Sequence, residues 1–328
     1  MSKEQFSLRL HEARLAMGLS MDKLVELTGA AITKQSISRY EKGIMHPKRD
    51  AMMALTRALG ISEAYFNGTN LNIDVPMLRT TSNGKLSDEE LQTIEAQLSF
   101  WTERYLAKER KAGMASRFVN PIKGMAVSTM EDVMQAADLL RNQWCCGDGP
   151  IASVLRLLER KGIRIMQCNL PDNVFGLSTW ADKTHPLIIL DLRPEKSTVE
   201  KLRFTACHEL AHLLLSFPED SELNVEKRCD LFAGFFLLSK NAFIEELGKE
   251  HREYITIEEL VDIKETYGIS LAAAIISARY YGIITPEYKR WWYGEYLENN
   301  AWEKGLGHYA FPETVGREKR IESIINKH

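Results

Sequence analysis

The sequence has no apolar run long enough to cross a membrane. Its longest apolar stretches, 231–238 and 271–276, fall far short of the ~18 residues that a bilayer crossing needs. The first residues, Met1–Gln5, lack a basic segment followed by an apolar one, so they do not resemble a secretory leader. We therefore expect a cytoplasmic protein with no membrane partner.

Cysteine is scarce and irregularly placed, which excludes a disulfide-stabilised fold. The number of cysteines is odd, and their spacing follows no disulfide or zinc-finger pattern. They are Cys145, Cys146, Cys168, Cys207 and Cys229. We expect all of them to be reduced.

Glycine and proline are also few, with 20 and 10 residues among 328, which excludes collagen-like and low-complexity chains. A hydrophobic content of 45% suffices for packed cores, and the length suggests about two domains. The net charge of −3 hides an uneven distribution, because residues 1–67 hold ten basic and seven acidic side chains. A mildly basic N-terminal segment on an acidic body remains compatible with DNA binding, since local charge governs attraction to phosphate.

The first 68 residues are predicted to form short helices separated by Gly18 and Gly29. Ser20 and Thr33 are placed to cap two successive helices, and the second of these covers residues 34–42. Ile37 and Tyr40 lie three residues apart on one face of that helix, where they can pack inward. Two helices joined by a tight turn, the second rich in polar residues, are typical of a helix-turn-helix that reads the DNA major groove.

The residue types on the second helix suit contacts with double-stranded DNA. Gln35 can bind adenine edges, and Arg39 can bind guanine or phosphate. The predicted DNA-binding residues are Lys34, Gln35, Ser36, Ser38, Arg39 and Lys42. The pattern resembles the Xre-type helix-turn-helix family, and this resemblance implies a DNA-binding domain at 1–68. The alternative is a small helical bundle that docks a protein partner.

Residues 69–129 are predicted to be a linker that contains a long amphipathic helix. Turn formers occupy the stretch up to Gly84, and Ser87 with Glu90 forms a capping box. Apolar residues recur at helical spacing from Leu91 to Tyr105. We expect this stripe to pack against the following domain; the alternative is that it pairs two chains in a homodimer.

A mixed α+β domain is predicted for residues 130–285, followed by a helical, aromatic-rich tail at 286–328. Helical patterns cover 130–144 and 150–161, and alternation predicts strands at 162–168, 175–181 and 187–192. Another helix is expected from about Thr198. The predicted fold is therefore multidomain and mainly α, with a small sheet in the second domain.

An H-E-x-x-H motif lies on that helix. His208 and His212 are four residues apart, so both imidazoles project from one helix face and can bind one metal ion. Glu209 lies beside them, where it can accept a proton from water as a general base. The alternative is a pair of buried histidines with no ligand.

A catalytic zinc site needs a third protein ligand, and Glu226 is the best candidate. Asp230 follows one helical turn later, where it can accept a hydrogen bond from a ligating histidine. Glu219 and Glu222 are weaker rivals because they lie in a polar connection. For the donor that stabilises an oxyanion, His185, Arg203 and several tyrosines remain open candidates.

The second domain resembles the ImmA/IrrE family of metallopeptidases. The resemblance lies in Arg203, Phe204, the H-E-x-x-H motif, Glu226, Asp230 and Phe232. The resemblance implies a zincin-like fold in which His208, His212 and Glu226 bind zinc and Glu209 is the base. Cys229 stands where the family usually has alanine.

The combined motifs predict a zinc metallopeptidase, with Mn²⁺ as the alternative ion, that binds DNA and controls transcription, as in a stress response. Its expected substrate is a repressor or antitoxin-like protein, as the family resemblance implies. The competing hypothesis is a transcriptional regulator that senses a metal or a ligand and performs no hydrolysis.

Overall fold

The computed structural model describes residues 3–68, 71–81, 85–218, 224–297 and 305–327. The chain is mostly helical, at 57%, with a small three-stranded sheet, which confirms the predicted fold class. It divides into two compact units, one formed by residues 1–116, 180–184 and 320–328 and the other by residues 117–179 and 185–319. None of the helices in the described ranges combines the length and apolar character that a bilayer crossing requires.

The first unit is helical. Its elements are α1 (Lys3–Ala16), α2 (Met21–Leu27), α3 (Lys34–Glu41), α4 (Arg49–Leu59), a 3-10 turn (Glu63–Asn67), α5 (Val75–Thr81) and α6 (Asp88–Lys111). Ser20, Thr33 and Ser87 accept backbone N–H bonds at the starts of α2, α3 and α6, as their positions predicted. Each hydroxyl satisfies a donor that the first helical turn would otherwise leave unpaired.

Helix α5 lies in the stretch where we expected only turns, so that expectation was wrong. The carboxylate of Asp74 accepts the backbone N–H of Met77 at 3.1 Å and thereby caps the helix. Pro76 stands in the first turn, where its missing N–H has no intrahelical partner to lose. The segment Asp74–Pro76 was therefore a helix-start signal that we interpreted as a turn.

The core of the helix-turn-helix lies between α1, α2, α3 and α4. Ile37 and Tyr40 of α3 are buried in it, as predicted from their spacing. Arg14 on α1 donates hydrogen bonds to both carboxylate oxygens of Glu41 at the end of α3, at 2.6 and 2.8 Å. This largely buried ion pair fixes the position of α3 against α1.

Helix α6 packs against α1 within the first unit, which corrects our expectation that it would pack against the following domain. Arg9 on α1 is fully buried and donates to the carboxylate of Glu103 on α6 at 2.6 Å. The Arg9 guanidinium also stacks on the ring of Tyr65, which contacts Phe100 of α6. A buried cation requires partners such as this carboxylate and this ring, and these contacts stabilise the packing of α6 on α1.

The second unit contains most of the remaining helices and the sheet, apart from the last two residues of β2. Its elements are α7 (Met130–Gln143), α8 (Val154–Arg160), β1 (Arg164–Gln167), β2 (Gly176–Ala181), β3 (His185–Leu190), α9 (Val199–Leu214), α10 (Val225–Leu237), α11 (Lys240–Leu247), α12 (Ile257–Tyr267), α13 (Leu271–Tyr280) and α14 (Pro286–Trp292). The strand order is β1-β3-β2, with β1 parallel to β3 and Arg164 opposite Leu187.

Helices α9 and α10 form the centre of the second unit. Helix α9 contacts β3, α8 and α10, and α10 also contacts α7 and α13. Both helices are apolar around most of their circumference, which is typical of helices buried on all sides. Gly234 allows α10 to approach α13 closely, because a Cβ there would lie 3.0 Å from the hydroxyl of Ser277. The polar residues that remain on α9 and α10 are therefore exceptions that call for an explanation.

The C-terminal segment is anchored by a buried carboxylate. Glu313 accepts the backbone N–H groups of Val154 and Leu155 at the start of α8 and pairs with the fully buried Arg203. A negative charge is favourable at a helix N-terminus. Trp292 and Tyr309 are buried, so these two aromatic residues of the tail contribute to packing. The last helix, α15, covers Arg317–Ile325.

Candidate metal centre and DNA-reading helix

Helix α9 presents two imidazoles toward one point. The Nε2 atoms of His208 and His212 lie 3.2 Å apart, and both side chains are at least four-fifths buried. The i, i+4 spacing places them on one face, one turn apart. At this distance one Nε2–H can donate to the other Nε2, and two unprotonated Nε2 atoms can bind the same cation.

Glu226 at the start of α10 completes a triangle of donor atoms. Its two carboxylate oxygens lie 3.4 Å from Nε2 of His208 and 3.3 Å from Nε2 of His212. Tetrahedral coordination with bonds of 2.0–2.1 Å places neighbouring ligand atoms roughly 3.3 Å apart. The three separations agree with this value, so the residues fit a zinc-sized ion.

Asp230 orients the first imidazole. Its Oδ1 atom lies 2.8 Å from Nδ1 of His208, so an Nδ1–H donated to Asp230 leaves Nε2 as the ligand atom. Although burial opposes protonation, the hydrogen bonds to Asp230 and Glu226 raise the pKa of His208 to about 10. Although burial also opposes ionisation of Glu226, the two histidines hold its pKa at about 2. The site is therefore strongly attractive to a cation.

Glu209 is the most deeply buried of the three carboxylates Glu209, Glu226 and Asp230, with 3% of its surface exposed. Burial raises its pKa above the ordinary value, and the neighbouring imidazoles and Ser178 oppose this shift. Ser178 on β2 donates its hydroxyl to Oε2 of Glu209 at 2.7 Å. A carboxylate with a raised pKa beside a metal site is suited to accept and return a proton near neutral pH.

Ser178 and Gly176 are site residues that sequence reasoning missed. A Cβ at Gly176 would lie 2.6 Å from Cγ2 of Thr205 and 3.2 Å from Cγ of Glu209, so only glycine lets β2 approach α9 this closely. Neither residue belongs to a local motif, and nothing in the strand pattern distinguished them. Their role arises from the packing of a strand against a helix distant in sequence.

Cys229 contributes a further donor atom. The ligating atoms of His208, His212 and Cys229 all lie within 4.8 Å of one another. The thiol is fully buried, three residues after Glu226 on α10. The histidine pair therefore has two neighbours that can bind a metal, a carboxylate and a thiol.

Glu219 and Glu222 were weaker candidates for the third ligand, and Arg203 was a candidate oxyanion donor. Glu219 and Glu222 lie outside the described residues. Arg203 is fully buried and donates to Glu313 and to the carbonyls of Ile151, Tyr267 and Gly268. It is therefore not available to stabilise an oxyanion, which corrects that expectation.

A cavity of about 530 Å³ adjoins the centre on the side of Asp230. Its walls combine apolar residues with several cations and come from α9, α10, α13 and α14. They include Phe204, Leu231, Ile276 and Tyr280 together with Lys227, Arg279, Lys289 and Arg290. The lining favours a guest that is both apolar and acidic.

Helix α3 exposes most of the predicted DNA contacts. Lys34, Gln35, Arg39 and Lys42 are exposed, and a step of about 100° per residue places Gln35, Arg39 and Lys42 on one face together with the half-buried Ser38. Ser36 is turned away from this face, and its hydroxyl lies 3.0 Å from that of Thr33. Lys34 pairs with Asp22 on α2 at 2.6 Å.

Comparison with protein families agrees with both parts of the chain. Residues 10–66 match the family model described as helix-turn-helix, and residues 158–278 match the peptidase family model described as IrrE N-terminal-like domain. These matches confirm the two resemblances predicted from the motifs. No curated protein and no solved structure matches the chain.

Proposed function

Because the chain joins an Xre-type helix-turn-helix to an IrrE-like peptidase domain, we propose that it binds double-stranded DNA and hydrolyses a specific peptide bond in a repressor or antitoxin-like protein. The convergence of His208, His212 and Glu226 at separations of 3.2–3.4 Å carries this proposal. The buried Glu209 lies next to His208 in the motif and supplies the group that hydrolysis needs besides the ion.

His208, His212 and Glu226 would hold a divalent ion, with zinc favoured by two imidazoles and one carboxylate. Such an ion would polarise the scissile carbonyl and acidify a water molecule. Glu209 accepts the proton of the attacking water and then returns it to the leaving amine. Ser178 occupies Oε2 of Glu209, which leaves Oε1 for the proton.

The cavity beside Asp230 supports a protein substrate with an acidic and apolar segment. Its cations Lys227 and Arg279 lie on α10 and α13, next to the apolar wall that includes Leu231 and Ile276. A peptide that places an acidic side chain near these cations would be held beside the centre. Charge reversal of Lys227 or Arg279 is therefore expected to weaken substrate binding more than turnover.

The exposed face of α3 supports sequence-specific DNA binding. Gln35 and Arg39 are the side chains suited to read base edges, and Lys42 suits the phosphate backbone. Replacing Gln35 by alanine should relax sequence preference, whereas replacing Lys42 should weaken binding to all sequences and reduce its salt dependence. Binding curves on specific and random duplexes at several salt concentrations separate the two effects.

The decisive experiment replaces Glu209 by glutamine. The variant should keep its metal content, measured by elemental analysis, and lose cleavage of regulators encoded by neighbouring genes by about 10²-fold or more. Glu253→Gln, at an exposed position on the same unit, is the matched control and should cleave normally. Continued cleavage by the Glu209 variant would refute the assignment of the base.

A second candidate function is metal or ligand sensing without hydrolysis. The thiol of Cys229 near the histidine pair favours it, because four protein ligands are typical of closed zinc sites. This function predicts DNA binding that changes with zinc while every neighbouring regulator stays intact. Mass spectrometry of those regulators after incubation with the metal-loaded chain distinguishes the two functions.

A further inference from the structure

Cys229 lies where a thiol can reach the ion position. Its Sγ atom and one ring nitrogen each of His208 and His212 are within 4.8 Å of one another. Bonds of about 2.3 Å to sulfur and 2.0 Å to nitrogen place tetrahedral neighbours roughly 3.5 Å apart. A shift of about an ångström or less per atom therefore brings the thiol into coordination, which a cysteine side chain accommodates by rotation.

The position of Cys229 is specific, as a comparison with Cys207 shows. Both thiols are fully buried, and Cys207 directly precedes His208 on α9. Nevertheless, the donor group in the described part of the chain contains Cys229 and not Cys207. Burial alone therefore does not bring a thiol to the histidines; the packing of α10 against α9 does.

We infer that Cys229 is a ligand of the ion held by His208 and His212 and that it makes the site select zinc and other thiophilic ions over manganese. The inference deepens the proposed metal-dependent function and rests on it. On ligation the Sγ–H bond breaks, the proton passes to solvent, and the sulfur electron pair forms the bond to the ion. Thiolate ligands favour zinc and cadmium, whereas manganese prefers oxygen ligands.

This assignment has a structural consequence for the resting protein. With Glu226 and both histidines also bound, Cys229 makes four protein ligands, which is a closed site. The thiol must then leave before a substrate carbonyl or water takes its position. A bound Cys229 would therefore keep the centre closed until another ligand takes the place of sulfur.

The test uses the full chain loaded with one equivalent of Co²⁺ or Cd²⁺ and records its near-ultraviolet absorption. The parent chain should show a thiolate-to-metal charge-transfer band. Cys229→Ala and Cys229→Ser should lose the band while the visible Co²⁺ bands remain, because His208, His212 and Glu226 still bind. Cys207→Ala is the matched control and should keep the charge-transfer band.

Competition between Zn²⁺ and Mn²⁺ gives a second readout, since the preference for Zn²⁺ should fall in Cys229→Ala. Circular dichroism confirms that each variant is folded, and the serine variant preserves side-chain size if alanine does not fold. An unchanged charge-transfer band in both Cys229 variants, or its loss in Cys207→Ala, overturns the inference. A parent chain without visible Co²⁺ bands instead overturns the proposed metal-dependent function.

Discussion

Replacing Asp230 by alanine tests how the metal centre is organised without any knowledge of the substrate. The Oδ1 atom of Asp230 lies 2.8 Å from Nδ1 of His208, and this contact fixes which imidazole nitrogen faces the ion. Without it the His208 ring loses the carboxylate at Nδ1 and the restraint on its tautomer. The affinity for zinc should therefore fall although none of His208, His212 and Glu226 is altered.

The size of the effect follows from the exposure of Asp230. Loss of a carboxylate that supports a ligating histidine typically costs 10–100-fold in metal affinity. The side chain of Asp230 is 56% exposed, so solvent screens part of its interaction with His208. We therefore expect a loss of zinc affinity at the lower end of this range, about tenfold, which corresponds to about 1.4 kcal/mol of binding free energy. Asp230→Asn keeps a hydrogen-bond acceptor but removes the charge, so its zinc affinity should lie between those of the parent and the alanine variant.

The assay is a zinc titration in competition with a chromophoric chelator at constant pH. Asp262→Ala, which removes an exposed aspartate from α12, is the control and should bind zinc as the parent does. If Asp230→Ala and the parent have the same zinc affinity, the carboxylate does not support His208 and the reasoning fails. If the control loses affinity equally, the loss is a general charge effect.

Three further predictions concern the base, the strand beside it and the first unit. Ser178→Ala removes a hydrogen bond to the charged base and should raise the pKa of that base further, shifting the acidic limb of the pH–rate profile to higher pH; Ser178→Thr should restore it. Gly176→Ala should lower cleavage by displacing the base, whereas Gly149→Ala, where a Cβ meets nothing within 4 Å, should not. Arg14→Ala should reduce the free energy of unfolding of the first unit by up to about 3 kcal/mol in denaturant titrations, because it leaves the buried carboxylate of Glu41 with only the half-exposed His11 as a charged partner. Although burial opposes ionisation, Arg14 and, after it, His11 hold the pKa of Glu41 below its ordinary value, so parent stability should fall as the pH drops through that depressed pKa. The fall should be smaller in the variant, which keeps only His11, and an equal fall would contradict this account.

Most local structure followed from local sequence. Ser20, Thr33 and Ser87 cap helices where their positions predicted, because a cap bonds to an N–H only three residues away. The failure at α5 was also local, since Asp74 followed by Pro76 satisfied the rules for a helix start. A proline two residues after an aspartate is compatible with the first turn of a helix as well as with a turn.

The packing of α6 could not be predicted from its own pattern. An amphipathic stripe shows that a helix has a buried face, but it does not identify the surface that covers the face. The partner is specified by the buried Arg9 on α1, which requires a carboxylate and finds Glu103 on α6. Arg9 and Glu103 are 94 residues apart, and the identities of the two residues do not indicate that they pair.

At the site, local sequence was enough to identify the residues that one helix brings together. His208 and His212 share a face because the period of the α-helix is fixed by its backbone hydrogen bonds. Three other contacts arise from long-range packing: Ser178 donates to Glu209, Cys229 rather than Cys207 lies near the histidines, and Arg203 pairs with Glu313. Those contacts join residues on different elements. They depend on the packing of β2, α9, α10 and the C-terminal segment, which buries apolar surface, and no repeat along the chain encodes them.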